Sequence, residues 1–194
     1  MKIIKKDVNL IDLTSFVNCI TRQDHKTIFL APPGENHYGL LAYLSLIKNN
    51  QFIVELGTHH GTSSLALSVN STNHILTYDI IDRYGIRPQP KNVERKIGDI
   101  FDLKNEDILL KTNFIFLDTA HTGTFEWKVY NFLVNNNYKG ILVLDDIHWN
   151  NPMKDFWNGI NITKYDITDI GHGICPDGIA GTGIVDFSNQ LILV

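Results

Sequence analysis

The stretch that decides the fold is Phe52-Ile-Val-Glu-Leu-Gly-Thr-His-His-Gly-Thr-Ser-Ser-Leu-Ala-Leu67. Its first three residues are apolar and predict a buried strand. A turn containing Gly57 and Gly61 follows, and the residues after Gly61 suit the start of a helix. This order is typical of nucleotide-type sites in α/β proteins, because a turn without Cβ atoms lets the backbone approach a ligand. A purely structural turn is the alternative that this stretch alone leaves open.

The spacing of the acid and the glycines in this turn differs from that of dinucleotide-binding enzymes. From Glu55 to Gly61 it reads Glu-x-Gly-x-x-x-Gly, whereas dinucleotide enzymes use Gly-x-Gly-x-x-Gly. An acid that leads into the turn suits a ligand with ribose hydroxyls or a cationic amine better than one with a pyrophosphate.

Length and composition limit the domain organisation and the classes of partner that this chain can have. The 194 residues predict a single domain over 1–194, with a helical or lid segment over 1–50 and the core over 51–194. The net charge of −4 gives no basic excess, so we expect no nucleic-acid partner. No apolar run reaches membrane-spanning length and no signal peptide is evident, which predicts a cytoplasmic protein without a membrane partner. Cys19 and Cys175 are expected to be free thiols, with a single disulfide as the alternative.

Strand and helix patterns alternate after Gly61, which predicts a parallel sheet with helices on both faces. Near the end of the chain, two strand patterns flank a glycine-rich run over 171–181 and suggest an antiparallel pair at one edge. The predicted strands cover 74–78, 94–97, 113–117, 140–144, 164–170 and 183–187, and the predicted helices cover 10–20, 39–47, 63–69, 103–110 and 124–135.

Acidic residues stand at the ends of the predicted strands, where open parallel sheets bind their ligands. Asp79 lies about 20 residues past the glycine turn, where an acid accepts hydrogen bonds from ribose hydroxyls. Asp99 is placed to accept from an adenine amino group. Any single Asp can instead cap a helix. The whole set is Glu55, Asp79, Asp99, Asp118, Asp145 and Asp146.

Three of these acids, Asp118, Asp145 and Asp146, end neighbouring strands. Without a basic partner they would repel one another, and a divalent cation relieves that repulsion. Hard oxygen ligands favour magnesium, calcium or manganese. A bound water or a helix cap is the alternative for each acid.

Two histidines follow these acids closely. His121 lies in Asp118-Thr-Ala-His121, and His148 lies two residues after Asp146. A neutral imidazole is a suitable general base near pH 7. A packing role is the alternative for either residue, and His121 ranks first as the base.

The motifs resemble those of a known family. Glu55-Leu-Gly57-Thr-His-His-Gly61-Thr-Ser63 resembles the first motif of class I S-adenosylmethionine-dependent methyltransferases. Asp118 with Asp145-Asp146 is similar to the Asp…Asp-Asp metal set of sugar- and macrolide-tailoring O-methyltransferases. Catechol-type relatives usually show Asp-Asn instead of Asp145-Asp146. The resemblance extends over roughly residues 35 to 187.

The resemblance implies a Rossmann-like, seven-stranded, mostly parallel sheet with an antiparallel edge strand. It also implies roles for single residues. Asp79 would hold the ribose of S-adenosylmethionine, Asp99 and Ile100 would flank adenine, and Asp118 would contact both cofactor and metal. The methionine part would lie against Glu55, Gly57, Thr58, Gly61 and Ser63, and Mg²⁺ would lie between Asp118, Asp145 and Asp146.

The implied reaction is Mg²⁺-assisted O-methylation of a small hydroxylated acceptor, a sugar or a vicinal diol. His121, His148 and Asp118 are its candidate catalytic residues, and Tyr38, Trp127 and Trp149 its candidate acceptor-pocket aromatics. The loop predicted at 32–38 is a candidate lid or an ordinary turn, and a lid from a second subunit would make the protein a homo-oligomer. The alternatives are a non-catalytic S-adenosylmethionine-binding partner protein and a metal-dependent hydroxylase-like relative.

Overall fold

The computed structural model describes residues 2–32, 34–170, 174–175 and 178–194. Among these residues, four short elements and one longer helix precede the core. They are β1 (Lys2–Ile3), α1 (Lys5–Val8), a 3-10 helix (Thr14–Cys19), α2 (Gln23–Leu30) and α3 (Gly34–Leu46).

Strands and helices then alternate through most of the chain. They are β2 (Phe52–Leu56), α4 (Thr62–Leu67), β3 (His74–Asp79), β4 (Val93–Ile97), a 3-10 helix (Glu106–Lys111), β5 (Phe114–Leu117), α5 (Thr124–Asn135), β6 (Ile141–Asp145) and α6 (Asn151–Gly159). After α6 the regular elements of the described residues are strands: β7 (Lys164–Asp166), β8 (Ile174–Cys175), β9 (Gly178–Ile179), β10 (Thr182–Asp186) and β11 (Ile192–Leu193).

Seven strands form the main sheet in the order β4-β3-β2-β5-β6-β10-β7. The first five are parallel, and β10 is antiparallel to both β6 and β7. This confirms the predicted mostly parallel sheet with an antiparallel pair at one edge. The reversed strand itself, β10, lies one place in from the edge, and β7 forms the edge.

Both faces of the sheet are covered, which is why the central strands β5 and β6 are apolar without a break up to the acids that follow or end them. Ile53 faces an apolar cluster that includes Leu40 and Leu65 from α3 and α4. Its neighbour Val54 faces a second cluster that includes Val129 and Phe156 from α5 and α6. The carboxyl ends of the parallel strands therefore meet at one edge of the sheet, between two helical layers.

The elements in front of the core differ from the prediction. The helix predicted at 10–20 is only a 3-10 helix over Thr14–Cys19. The loop conformation predicted at 32–38 is wrong from Gly34 onward, because these residues form the first turns of α3. Its role as a lid stays a prediction. Pro33 lies outside the described residues.

Two further predictions concern later segments. The helix predicted at 103–110 is a 3-10 helix over Glu106–Lys111. The glycine-rich run at 171–181 lies partly outside the described residues. Cys19 is a free thiol, whereas the side chain of Cys175 is among those not described. No described helix is long and apolar enough to cross a membrane.

Candidate active site

The turn after β2 has room only for glycine at its first position. Gly57 has a φ of 98° and donates its N–H to the Tyr78 carbonyl at 2.8 Å. A Cβ on Gly57 would lie 1.5 Å from the Asp118 carbonyl oxygen. The turn therefore passes directly over the end of β5, and the acid after that strand sits beside the turn.

Asp79, at the end of β3, is fixed by the backbone of the same region. Its Oδ2 accepts a hydrogen bond from the His59 N–H at 2.6 Å, and its Oδ1 accepts one from the Ile81 N–H at 2.9 Å. The carboxylate is thus held in one orientation at the carboxyl edge of the sheet.

A cavity of about 570 Å³ opens at this edge, within the usual size range for small-molecule sites. Apolar side chains such as Leu56, Ile80 and Phe125 form much of its wall. Five of the nine predicted cofactor residues line it: Gly57, Asp79, Asp99, Ile100 and Asp118.

The other four predicted cofactor residues lie elsewhere. Thr58 and Ser63 line a second cavity, and Glu55 and Gly61 line neither. Glu55 is completely buried and accepts a hydrogen bond from the Ser64 hydroxyl. Burial raises the pKa of Glu55 to about 7. Through this bond Glu55 connects β2 to α4, the two elements that flank the turn. The predicted contact of Glu55 with the ligand stays a prediction.

The second cavity, of about 430 Å³, adjoins the first, because His59 and Asp118 line both. All three predicted metal ligands line it: Asp118, Asp145 and Asp146. Strand ends that are neighbours in the sheet thus bring these acids to one place, as the sequence predicts.

Two of the three predicted pocket aromatics also face the second cavity. They are Tyr38 and Trp149. Trp127 does not, because its ring packs edge-on against Phe156 and Tyr130, with centroids 5.1 and 5.5 Å away. That placement of Trp127 in the acceptor pocket was wrong, since α5 turns this side chain toward α6.

His121 stands between two of the acids. Its Nε2 lies 3.2 Å from Asp118 Oδ1 and 3.2 Å from Asp146 Oδ2. Burial works to lower the pKa of His121, but the hydrogen bond and charge of Asp118 and the charges of Asp146 and Asp145 outweigh it and raise that pKa to about 9. Burial and the charge of Asp145 raise the pKa of Asp146 to about 7. In this arrangement an imidazolium balances the charge of the acids.

The loop that carries His121 is held by two residues that the sequence interpretation missed. Glu126 Oε1 accepts from the His121 N–H at 3.2 Å and from the Thr119 hydroxyl at 2.7 Å. Asn150 donates its side-chain N–H to the His121 carbonyl at 2.8 Å. These bonds support a positive φ of 53° at His121, which is unfavourable for a residue with a Cβ.

His37 is a third residue that the sequence interpretation missed. The role of Asn150 could have been predicted from the sequence, whereas that of His37 could not. Asn150 caps α6 by accepting from the Met153 N–H at 2.9 Å, and Pro152 follows in the first turn. This cap-and-proline pattern was readable from sequence. His37 lines the second cavity with its Nδ1 3.7 Å from Asp145 Oδ1, a contact that only the packing of α3 creates.

His148 points away from this group. Its Nε2 lies 2.7 Å from Asp166 Oδ2 on the edge strand β7, and it lines neither of the two cavities. Of the two candidate bases, the structure therefore brings only His121 to the acids.

The carboxylate oxygens of the three acids are the type of ligand that a hard cation prefers. The distances between these side chains, however, do not suit one shared ion. Three carboxylates that line one cavity are suitable ligands for Mg²⁺. However, among the described residues, the group whose ligand atoms all come within 4.8 Å of one another consists of histidines and not of these acids. His121 also lies between Asp118 and Asp146. A cation bound by all three acids would require these side chains to rearrange.

Comparison with solved structures identifies the fold. The O-methyltransferase TomG from Streptomyces achromogenes, in complex with SAM, superposes with a TM-score of 0.61 at 15% identity, over 91% of each chain. The O-methyltransferase from Bacillus cereus, in complex with SAH, gives 0.53 at 15% identity, over 94% of this chain and 90% of that one. Cofactor-bound Rv0187 from MTB gives 0.60 at 12% identity, over 81% of each chain.

The chain has the class I methyltransferase fold. No protein-family model and no curated protein sequence matches it. At 12 to 15% identity the likeness concerns the fold. Within this methyltransferase fold, the first cavity lies over the glycine turn and the second lies beside it, next to the three acids.

Proposed function

We propose that the protein is an S-adenosylmethionine-dependent O-methyltransferase that acts on a small hydroxylated acceptor. The observation that carries the proposal is the pair of cavities that meet at His59 and Asp118. One cavity is lined by the glycine turn and strand-end acids, and the other by an acid cluster and aromatic side chains. A methyl donor in the first and an acceptor in the second would meet at this junction.

The first cavity suits the donor in polarity as well as in size. Asp79 presents a fixed carboxylate to the ribose hydroxyls, and Asp99 with Ile100 lies further along the same wall for adenine. The positive φ of Gly57 lets the backbone turn sharply at the end of β2, so that the turn lines this cavity. The methionine part would extend toward Thr58 and Ser63, which line the second cavity.

The second cavity supports a small acceptor. Its volume of about 430 Å³ suits a sugar or another vicinal diol, and the rings of Tyr38 and Trp149 offer apolar faces for packing. At the junction of the two cavities, Asp118 would orient the reacting hydroxyl. His121, which lines the first cavity, would take its proton as the oxygen attacks the sulfonium methyl in line.

His121 can take that proton only as a neutral imidazole. In the described arrangement it supplies the positive charge that balances Asp118 and Asp146. When bound to these acids, Mg²⁺ would supply that charge in its place and would hold an acceptor oxygen as a Lewis acid. We therefore propose that turnover requires Mg²⁺, with Asp118, Asp145 and Asp146 as its ligands.

Cofactor binding and turnover are tested separately. Calorimetry with S-adenosylhomocysteine should show a one-to-one complex, weakened at least about tenfold in Asp79→Asn because the ribose loses a charged acceptor. Asp102→Asn, an exposed acid outside both cavities, is the matched control. An absence of binding in the unmodified protein would contradict the proposal.

Turnover is then measured with a panel of sugars and vicinal diols, with release of S-adenosylhomocysteine as the readout. EDTA should stop release, and added Mg²⁺ should restore it. Full activity in EDTA would remove the metal from the mechanism. Binding without turnover on any acceptor would favour a non-catalytic cofactor-binding protein, and oxidised rather than methylated products would favour the hydroxylase-like alternative.

A further inference from the structure

Three histidine rings meet beside the glycine turn, and the methyl-transfer proposal gives none of them a chemical role. The ring centroids of His25 and His60 are 4.4 Å apart, those of His59 and His60 are 4.2 Å apart, and those of His25 and His59 are 5.7 Å apart. One ring nitrogen from each residue lies within 4.8 Å of the others. Such spacing is compatible with three nitrogen ligands around one ion.

The three rings come from two elements that are separate in sequence. His59 and His60 belong to the turn between β2 and α4, whereas His25 belongs to α2. His25 and His59 line the second cavity, and His59 also lines the first. An ion held by all three would join α2 to the turn where the two cavities meet.

Hydrogen bonding already orients one of the rings for ligation. His60 Nδ1 lies 2.7 Å from the Arg83 carbonyl oxygen, which can only accept, so this nitrogen carries the proton. The lone pair of Nε2 is then available, as its 3.4 Å approach to the Arg22 guanidinium also indicates. A backbone carbonyl that fixes the tautomer in this way is typical of metal-binding histidines. Arg22 would move aside, and it is half exposed and paired with Asp24.

Burial favours the neutral form of two of the rings. Burial and the nearby His60 ring lower the pKa of His25, and the same two causes lower the pKa of His59. Neutral imidazole is the form that binds a metal ion.

We propose that His25, His59 and His60 bind a transition-metal ion of the zinc, nickel or copper class through three imidazole nitrogens. Imidazole ligands suit these ions, whereas the carboxylates of Asp118, Asp145 and Asp146 suit Mg²⁺. Three ligands leave a fourth tetrahedral position for water or a solute. Because His59 also donates its N–H to Asp79, the ion would fix the turn that presents Asp79. The inference does not depend on the methyltransferase proposal.

Co²⁺ is the probe, because its visible absorption reports nitrogen coordination directly. The full chain, without a histidine tag, is titrated with Co²⁺ alone. We expect a saturable one-to-one signal, weakened at least about tenfold in His25→Gln and in His60→Gln. His74→Gln is the matched control, since His74 is an exposed histidine at the other end of β3 that pairs with Glu94. This control should keep the signal of the unmodified protein.

A second pair of measurements separates the histidines from the acids. Asp146→Asn should keep the Co²⁺ signal, and Zn²⁺ should raise the melting temperature of the unmodified protein and of His74→Gln but not of His25→Gln. His25 is half-buried on an outer helix, so His25→Gln should fold even if His60→Gln does not. Unchanged Co²⁺ affinity in His25→Gln, loss of the signal in Asp146→Asn, or no binding by the unmodified protein would each overturn the proposal.

Discussion

At the scale of single residues, the proposed chemistry depends on His121 more than on any other side chain. Its imidazole lies between Asp118 and Asp146, and Glu126 and Asn150 hold its backbone. We expect His121→Gln to lower kcat by about 10²- to 10⁴-fold, the usual contribution of a general base. His121 also lines the first cavity, but the proposed contacts to ribose and adenine come from Asp79 and Asp99, so the affinity for S-adenosylhomocysteine should fall much less than kcat. Steady-state kinetics and calorimetry measure the two effects.

His148→Gln serves as the control for this prediction. His148 pairs with Asp166 outside both cavities, so kcat should stay within about threefold, because such exposed pairs contribute little. The opposite pattern, with His148→Gln inactive and His121→Gln active, would assign the base role to His148.

Glu55 yields a prediction about stability and pH. Burial raises its pKa in the folded protein to about 7, above the ordinary value of 4.5. The folded state then binds this proton more tightly than the unfolded state, so the contribution of Glu55 to stability is fully present below pH 4.5 and is lost as pH rises through 7. Glu55→Gln removes this loss. At pH 8 the variant should be more stable than the unmodified protein by up to about 3 kcal/mol.

Urea unfolding at several pH values measures this difference. The advantage of Glu55→Gln should shrink as pH falls from 8 toward 5. Glu35→Gln, a change of the same kind at an exposed helical position, should show no such trend. An equal pH dependence in the unmodified protein and in Glu55→Gln would show that this carboxyl is not the cause.

At the scale of elements, a glycine in the turn between β2 and α4 and a glycine inside α3 give a matched pair of substitutions. A Cβ at Gly57 would lie 1.5 Å from the Asp118 carbonyl oxygen, at a φ of 98°. We expect Gly57→Ala to lower the free energy of unfolding by at least about 3 kcal/mol, because backbone must shift. At Gly39, inside α3, a Cβ would lie 3.7 Å from the Val8 carbonyl oxygen. Gly39→Ala should be neutral or stabilising by up to about 1 kcal/mol.

Urea unfolding of both variants checks this contrast. Equal effects of the two substitutions would mean that the turn relaxes to accommodate a side chain at position 57. The turn would then not depend on glycine at its first position.

The sequence predicted the core elements better than the outer ones, for physical reasons. The strands predicted at 113–117 and 140–144 were found as Phe114–Leu117 and Ile141–Asp145, because doubly covered strands leave continuous apolar runs that end in acids. The helix predicted at 124–135 was found unchanged. In contrast, α2 buries only Phe29 and therefore carries almost no periodic apolar pattern.

The same difference applies to the candidate site. Acids at neighbouring strand ends could be grouped from sequence, because the sheet alone brings Asp118 and Asp146 together. The position of His121 between these acids could not be predicted from the sequence, since it requires a positive φ and a contact with Glu126. The group of His25, His59 and His60 could likewise not be predicted from the sequence, because His25 reaches the turn only through the packing of α2, a helix that was not predicted.

At the scale of the whole molecule, we expect the chain to unfold as one unit, as a single domain should. The two apolar clusters lie on opposite faces of the same sheet and share its strands. Neither cluster can lose its packing without exposing strands that support the other. Whether the chain unfolds in one transition therefore tests the expected single domain over 1–194.

The three tryptophans make that test possible, because none of them belongs to the cluster formed with α3 and α4. Trp127 and Trp157 pack in the other cluster, and Trp149 faces the second cavity. In urea, tryptophan fluorescence and far-ultraviolet circular dichroism should give the same midpoint within error. S-adenosylhomocysteine at about 100 times its Kd should stabilise both transitions equally, by about 2.7 kcal/mol. A fluorescence transition separate from the loss of circular dichroism would instead show that the two faces of the sheet unfold independently.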